Sequence, residues 1–223
     1  SPGAMALRHV RVIPLEAATL DRIHRTTARS VFWELDPLGD AFSGTDSDVD
    51  KAAWLLSLAY EQPAVGFSIV DPAIAAGAHA SLLMCPPSAA PGAVRMPTAP
   101  FSADAFCLTS LHIDAAVEGI GWEAVLIDAA VAALTQRSSL TAVEAFGLRS
   151  DLPEDLTRMC RQLVANRSTI GLMPVDVLES AGFRIVADHP AIPRLRLELP
   201  PVHDLLTERE IADLLAAVSV GGR

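Results

Sequence analysis

The chain holds three cysteines, one tyrosine and one lysine in 223 residues, and no apolar run approaches a bilayer's thickness. Each scarcity excludes something. Cys85, Cys107 and Cys160 are odd in number, sit among apolar neighbours and show no C-x-x-C spacing, so a disulfide framework and a thioredoxin-type motif are both excluded. Buried, reduced thiols are expected. A membrane span needs roughly 18–20 consecutive apolar residues, and none is present. No charged segment followed by a short apolar core and a cleavage site opens the chain, which points to a cytoplasmic protein. Basic residues are also few: 17 Lys and Arg against 27 Asp and Glu give a net charge of −10. That balance argues against a nucleic-acid partner, which needs a basic face, and it works against phosphate ligands unless a local basic patch offsets it.

What remains is rich in apolar residues, at 51%. Ser1-Pro2-Gly3-Ala4-Met5 reads as a tag remnant (residues 1–5), leaving one domain over residues 6–201 and a C-terminal amphipathic helix over 202–223. Leu7 to Leu15 alternates as a first, half-buried strand. Thr19 is placed to cap a helix carrying Leu20, Ile23, Thr27 and Val31. Ser47 and Asp50 resemble a capping box for a second helix through Val49, Ala53, Leu56 and Tyr60. Val65–Val70 and Ala78–Cys85 read as strands, and Pro86–Ala103, with its prolines, as a loop. Leu140–Phe146 reads as a fifth strand ended by Gly147. Ser150 begins an extra helix within a helical insertion over 150–168, carrying Leu156, Met159, Cys160 and Leu163. Met173-Pro174 opens a short helix closed by Gly182. Phe183–Ala187 and Leu195–Leu199 form a final hairpin. Thr207 and Glu210 form a capping box ahead of the stripe Ile211, Leu214, Leu215 and Val218, which either docks on its own domain or lends itself to a partner, a second copy included.

The chain is organised around its middle. Phe106 to Ile113 is a strand-type run, Gly119-Ile120-Gly121 a turn, and Ala124 to Arg137 a long apolar-periodic helix. A strand that passes through a glycine turn into a helix N-terminus gathers free N–H groups and the positive end of the helix dipole at one point. This stretch resembles the GNAT superfamily of acetyl-CoA-dependent N-acetyltransferases. In that family a strand corner leads to an Arg/Gln-x-x-Gly-x-Gly/Ala loop around the CoA pyrophosphate. Ile113-Asp114-Ala115-Ala116-Val117 is similar to the corner, and Glu118-Gly119-Ile120-Gly121-Trp122-Glu123 to the loop. Pro97-Thr98-Ala99-Pro100, Val143–Gly147, Met173–Phe183 and Pro193–Leu197 resemble a group of actinobacterial GNAT-like proteins. Alanine and proline richness with a single lysine, Lys51, agrees with such a GC-rich source. The resemblance implies a mixed α/β GNAT fold: a twisted sheet of about six to seven strands, the fourth and fifth splayed, flanked by helices. The fourth strand should be central, with the fifth parallel to it and the Gly119–Arg137 helix crossing between them.

The resemblance assigns the cofactor site to Ser110, Leu111, His112, Ile113, Glu118, Gly119, Ile120, Gly121, Trp122 and Glu123. Two of these depart from the family pattern, because Glu118 stands for Arg or Gln and Glu123 for Gly or Ala. Like charges about 4 Å apart in an effective dielectric near 20 cost roughly 4 kcal/mol as an upper figure, so the loop reads as degenerate. A glutamate in the first helical turn is also a good structural choice in its own right. Many family members protonate the leaving thiolate with a tyrosine after the fifth strand. Here Tyr60 lies elsewhere, and Cys160 and Ser168 merely fall in the right region. The candidate catalytic residues are Glu144 and His112, with Asp114 beside them. A His/Asp/Glu cluster is a weaker basis for a metal, and none is expected. The function expected is that of a non-catalytic or weakly active binding or regulatory module. The alternative is an active acyl-CoA-dependent N-acetyltransferase with an altered phosphate loop, an unidentified amine acceptor, and Arg149 or Arg167 holding the phosphates. Acetyl-CoA is the implied cofactor if the site is active, and a silent site needs none.

Overall fold

The computed structural model describes residues 10–35 and 47–216. Its centre is an eight-stranded mixed sheet. The strands are β1 (Arg11–Leu15), β2 (Gly66–Val70), β3 (Ala80–Cys85), β4 (Ala105–Ile113), β5 (Ala142–Leu148), β6 (Met173–Pro174), β7 (Arg184–Ala187) and β8 (Arg194–Glu198). Their order is β1-β2-β3-β4-β5-β8-β7, with β6 paired to β5 off that path. The fold expected from the resemblance is present: β4 is central, and β5 runs parallel to it. Register pairs join these two strands only at Ala105–Ala142, Phe106–Val143 and Cys107–Glu144, after which they part. The eighth strand, beyond the six or seven expected, is the two-residue β6, which also carries β5 past Gly147 to Leu148.

Among the described residues seven α-helices flank the sheet: α1 (Arg25–Arg29), α2 (Ser47–Glu61), α3 (Trp122–Thr135), α4 (Arg158–Ala165), α5 (Arg167–Ile170), α6 (Val175–Ser180) and α7 (Glu208–Ala216). Each face of the sheet has its own core. On one face Leu82, Leu108, Leu126, Leu134 and Leu178 pack beneath α3 and α6. On the other Trp33, Leu55, Leu83, Cys107 and Phe146 pack with α2 and the proline-rich loop. The lone lysine belongs to this second face. Lys51 is buried, and its Nζ donates to Ser30 O (2.6 Å) and to Glu34 Oε1 (2.5 Å). Burial lowers its pKa, an effect the Glu34 carboxylate opposes. All three cysteines are free and buried, and burial pushes the Cys85 and Cys107 thiols well above the ordinary range.

β4 contains an irregularity that its sequence does not announce. Between register pairs Leu82–Leu111 and Met84–Leu108, β3 advances two residues while β4 advances three. The extra residue is a bulge at Thr109-Ser110 that shifts the alternation by one. Phe106 and Leu108 before it and Leu111 after it therefore all reach the α3 core.

Two helices start elsewhere than their sequences suggest. The helix expected from Thr19 to Val31 is broken in two. Thr19 sits inside a 3-10 turn, Ala17–Arg22, where its Oγ1 accepts the Glu16 N–H (2.9 Å). The chain is then extended at Ile23, and His24 caps α1 by accepting Thr26 N–H at Nδ1 (3.1 Å). A tertiary bond overrides local propensity here: His24 N–H donates to Ser81 Oγ of β3 (2.8 Å). The helix expected from Ser150 starts only at Arg158, capped by Thr157 Oγ1 on Cys160 N–H (3.2 Å). Residues 1–5, the Ser47 side chain of the expected capping box, and Val218 lie outside the described residues.

The C-terminal capping box is present in both directions: Glu210 N–H reaches Thr207 Oγ1 (3.1 Å), and Thr207 N–H reaches Glu210 Oε1 (3.2 Å). The helix it starts, α7, docks on the first core. Leu215 is buried, and Ile211 and Leu214 pack beside it. Leu206 N–H donates to Asp128 Oδ2 (2.8 Å), while Trp122 Nε1–H donates to Leu214 O (3.1 Å). Burying one leucine contributes about 1.5–3 kcal/mol. Removing the chain from Leu205 onward should therefore lower unfolding free energy in a urea titration by about 2–3 kcal/mol and shift the emission of the uncovered Trp122 to the red. Unchanged melting and emission would show that α7 stabilises nothing.

Candidate functional site

The turn from β4 into α3 is shaped by two glycines at positive φ, Gly119 (76°) and Gly121 (104°). Gly121 is doubly constrained. A Cβ there would sit in the left-handed region and only 2.8 Å from Leu214 Cδ2 of α7. Glu118 is exposed and Glu123 is buried. The Glu123 carboxylate turns back onto the loop and accepts Gly119 N–H at 2.8 Å. A group that the turn could offer an anionic ligand is thus already bound to a carboxylate of the chain itself.

Where β4 and β5 part, each strand leaves backbone groups without a partner, the sort of edge an extended ligand pairs with. Here the chain itself fills the gap. A strap of residues 167–174, made of α5, Gly171, Leu172 and β6, runs between the two strands. On the β4 side Gly171 O accepts Leu111 N–H (2.9 Å). On the other side β6 pairs in parallel with Gly147 and Leu148. Gly171, at φ 81°, is needed for this approach: a Cβ would lie 2.9 Å from both Leu111 N and Ser110 Cβ. Three more bonds fix the strap. Ser30 Oγ donates to Thr169 O (2.7 Å), Trp33 Nε1–H to Ile170 O (3.0 Å), and His112 Nε2–H to Thr169 O (2.8 Å).

His112 is therefore an anchor for the strap. A carbonyl only accepts, so Nε2 carries the proton, and Nδ1 is left to accept the Thr27 hydroxyl at 2.8 Å. With both nitrogens engaged and 3% of its surface exposed, the ring has no free lone pair for proton abstraction. Burial depresses its pKa to about 4.

Glu144 lies at the other end of the cleft's strands, beside Cys107 in the register, so it is not brought together with His112. It is fully buried and accepts Ser102 N–H (2.9 Å), Arg194 Nη1 (2.7 Å) and Arg196 Nη1 (3.0 Å). Burial alone would raise its pKa, but these donors hold it below the ordinary value. It is an ion-paired brace that ties β5 to Arg194 and Arg196 of β8. Asp114 is shared between two histidines, accepting His24 Nε2 (2.8 Å) and His79 Nδ1 (3.0 Å). Among the described residues no group of three His, Cys, Asp or Glu is placed to hold a metal.

Outside the strap a cleft of about 520 Å³ remains at the mouth of the splay. Its β4 side is formed by Leu111, His112, Ile113, Glu118 and Glu123, and its other side by Arg149, Ser150, Arg167, Ser168 and Pro174. Of the residues the resemblance assigned to a cofactor, Ser110 is buried behind Gly171, its Oγ without a partner. Gly121 and Trp122 are turned toward α7, and Ile120 is exposed on the turn. Tyr60 is 79% exposed on α2, Cys160 is buried in the second core, and Ser168 lines the cleft. His24 and Thr26 also line it. Neither is marked by any motif, because what brings them there is the break before α1.

No protein-family model matches the chain, and no curated protein does. Solved structures similar to it include a ribosomal-protein-S5-alanine acetyltransferase from Vibrio fischeri, with 11% identity over 89% of this chain and 96% of that one and a TM-score of 0.48. The GNAT-like decarboxylase GphF in complex with isobutyryl-CoA shares 16% identity over 83% and 97%, with a TM-score of 0.46. A GNAT-family acetyltransferase from Bordetella pertussis, so described only provisionally, shares 15% over 84% and 94%, with a TM-score of 0.47.

The depressed His112 pKa has a definite sign in stability. The unfolded histidine, near 6.5, takes up a proton that the folded one refuses, so the contribution is complete above about pH 6.5 and is lost as pH falls toward 4. Over that window the loss is about 3 kcal/mol. Urea titrations from pH 7 to 4.5 should show this slope in the native sequence and a slope smaller by about one proton in His112→Gln. Equal slopes would place the titration on other groups.

Proposed function

We propose that this chain is a GNAT-fold protein with a degenerate acetyl-CoA site, acting as a non-catalytic or weakly active binding or regulatory module. The observation that carries this reading is the strap: Gly171 O on Leu111 N–H, at 2.9 Å, occupies the edge of β4 where the strands part. An extended acyl-carrying arm would have to displace a segment tied by bonds from Ser30, Trp33, Leu111 and His112. Net hydrogen bonds of this kind contribute about 0.5–1.5 kcal/mol each, so four of them present a substantial barrier to displacement. The Glu123 bond to Gly119 N–H supports the same reading at the pyrophosphate loop, where Glu118 adds an exposed negative charge.

One observation favours an active N-acetyltransferase instead. Arg149 and Arg167 line the same cleft as Glu118, where either guanidinium is placed to meet phosphate oxygens. Calorimetric titration with acetyl-CoA separates the two readings. The module reading expects no saturable binding up to millimolar concentration. The double substitution Glu118→Arg with Glu123→Gly removes both negative charges and frees the Gly119 amide, and it should raise CoA affinity at least tenfold without restoring acyl transfer. Tight binding of acetyl-CoA by the native sequence, lost on replacing Arg149 or Arg167 by Gln, would establish the enzyme reading.

A further inference from the structure

The cleft outside the strap is more than what the strap leaves over. Within the described residues no hydrogen bond engages the side chains of Thr26, Glu118, Ser150 or Ser168, yet all four line the same 520 Å³ space. Convergent polar groups around a concave surface of this size mark a small-molecule site. The charges are also sorted by the topology. Glu118 comes from the turn after β4, whereas Arg149 follows β5 and Arg167 begins α5. Arg149 is oriented by Nε–H to His189 O (2.9 Å) and by an Nη2 contact with Asp188 (2.6 Å), which leaves Nη1 uncommitted. Among the described residues Arg167 engages Val164 O alone, through Nη1 (2.9 Å). His112, neutral in its strap bonds, adds no charge.

A polyanion meets Glu118 and Glu123, a simple cation meets the two arginines, and a neutral ligand leaves Glu118 and Arg167 without an opposite charge among the described residues. We infer that the cleft takes a small zwitterion, a free amino acid or short peptide, with its carboxylate on Arg149 and Arg167 and its ammonium on Glu118. Ser150 and Ser168 lie beside the arginines to complete the carboxylate end, and a guanidinium pairs with a carboxylate through two parallel bonds. The inference rests on the reading above that the cleft is not an acyl-CoA site.

The test is calorimetry with three probes: triglycine, N-acetyl-triglycine and triglycine amide. Triglycine should bind saturably, at least tenfold tighter than either blocked form. Glu118→Gln should abolish the preference for triglycine over the acetylated probe. Arg167→Gln should abolish its preference over the amide. Both residues are exposed, so melting temperatures should stay at the native value and confirm that the variants fold. No saturable heat from triglycine, equal affinity for the three probes, or preferences unmoved by the substitutions would overturn the inference. Acetyl-CoA is titrated in parallel: saturable binding there overturns the module reading, whereas silence from acetyl-CoA and triglycine together overturns this inference alone.

Discussion

Two parallel strands that diverge must do something with the backbone they uncover, and in this protein the hydrogen bond from Leu111 N–H to Gly171 O does it. An unpaired buried amide costs about as much as a lost hydrogen bond, so the splay between β4 and β5 is tolerable only when occupied. Much of the neighbouring sequence makes sense as provision for that occupant. Gly171 lets the backbone approach, His112 and Ser30 hold Thr169, and Trp33 holds Ile170. The histidine's burial, its low pKa and its lack of a free nitrogen all follow from this one duty.

The glycine turn tells a parallel story in electrostatic terms. A helix N-terminus with free amides attracts negative charge, whether it comes from a ligand or from the chain. Glu123 supplies it from within, at 2.8 Å from Gly119 N and shielded from water. Glu118 stays outside, where it repels further anions. The two glutamates therefore differ in role: one satisfies the turn, and the other colours the cleft beyond it. The outer face of the same turn is closed by Leu214 and the Trp122 indole bond, so the loop is braced from both sides.

Most of the sheet was legible in the sequence because its signals are local. The alternation that ends at Leu15, the run Phe106–Ile113 and the periodic Ala124–Leu134 each declare their element, and the strand–turn–helix order sets β4 beside β5. The Thr207/Glu210 box was legible for the same reason. The strap was not, because its bonds join residues far apart and its own sequence, Arg167 to Pro174, carries no period. The bulge at Thr109-Ser110 has no glycine to mark it. The break at Ile23 depends on His24 meeting Ser81 across 57 residues. Of the candidate site, Glu118, His112 and Ile113 do line the cleft, but Glu144 does not, since strand register alone places it beside Cys107. Adjacent strands do not bring His112 and Glu144 together, because the register partner of Glu144 on β4 is Cys107.

The strap's bonds also bear on the order in which the molecule assembles. Thr169 and Ile170 meet Ser30 and Trp33 across 139 and 137 residues, among the widest spans in the fold. Closing so long a loop is favourable only after the intervening sheet and α3 have brought its ends close. During synthesis, β1 to β4 emerge well before the segment that will seal them, with the edge of β4 open meanwhile. For that interval the nascent chain has the exposed strand edge that the finished protein lacks, and it is then that it is most susceptible to mispairing with a neighbouring chain.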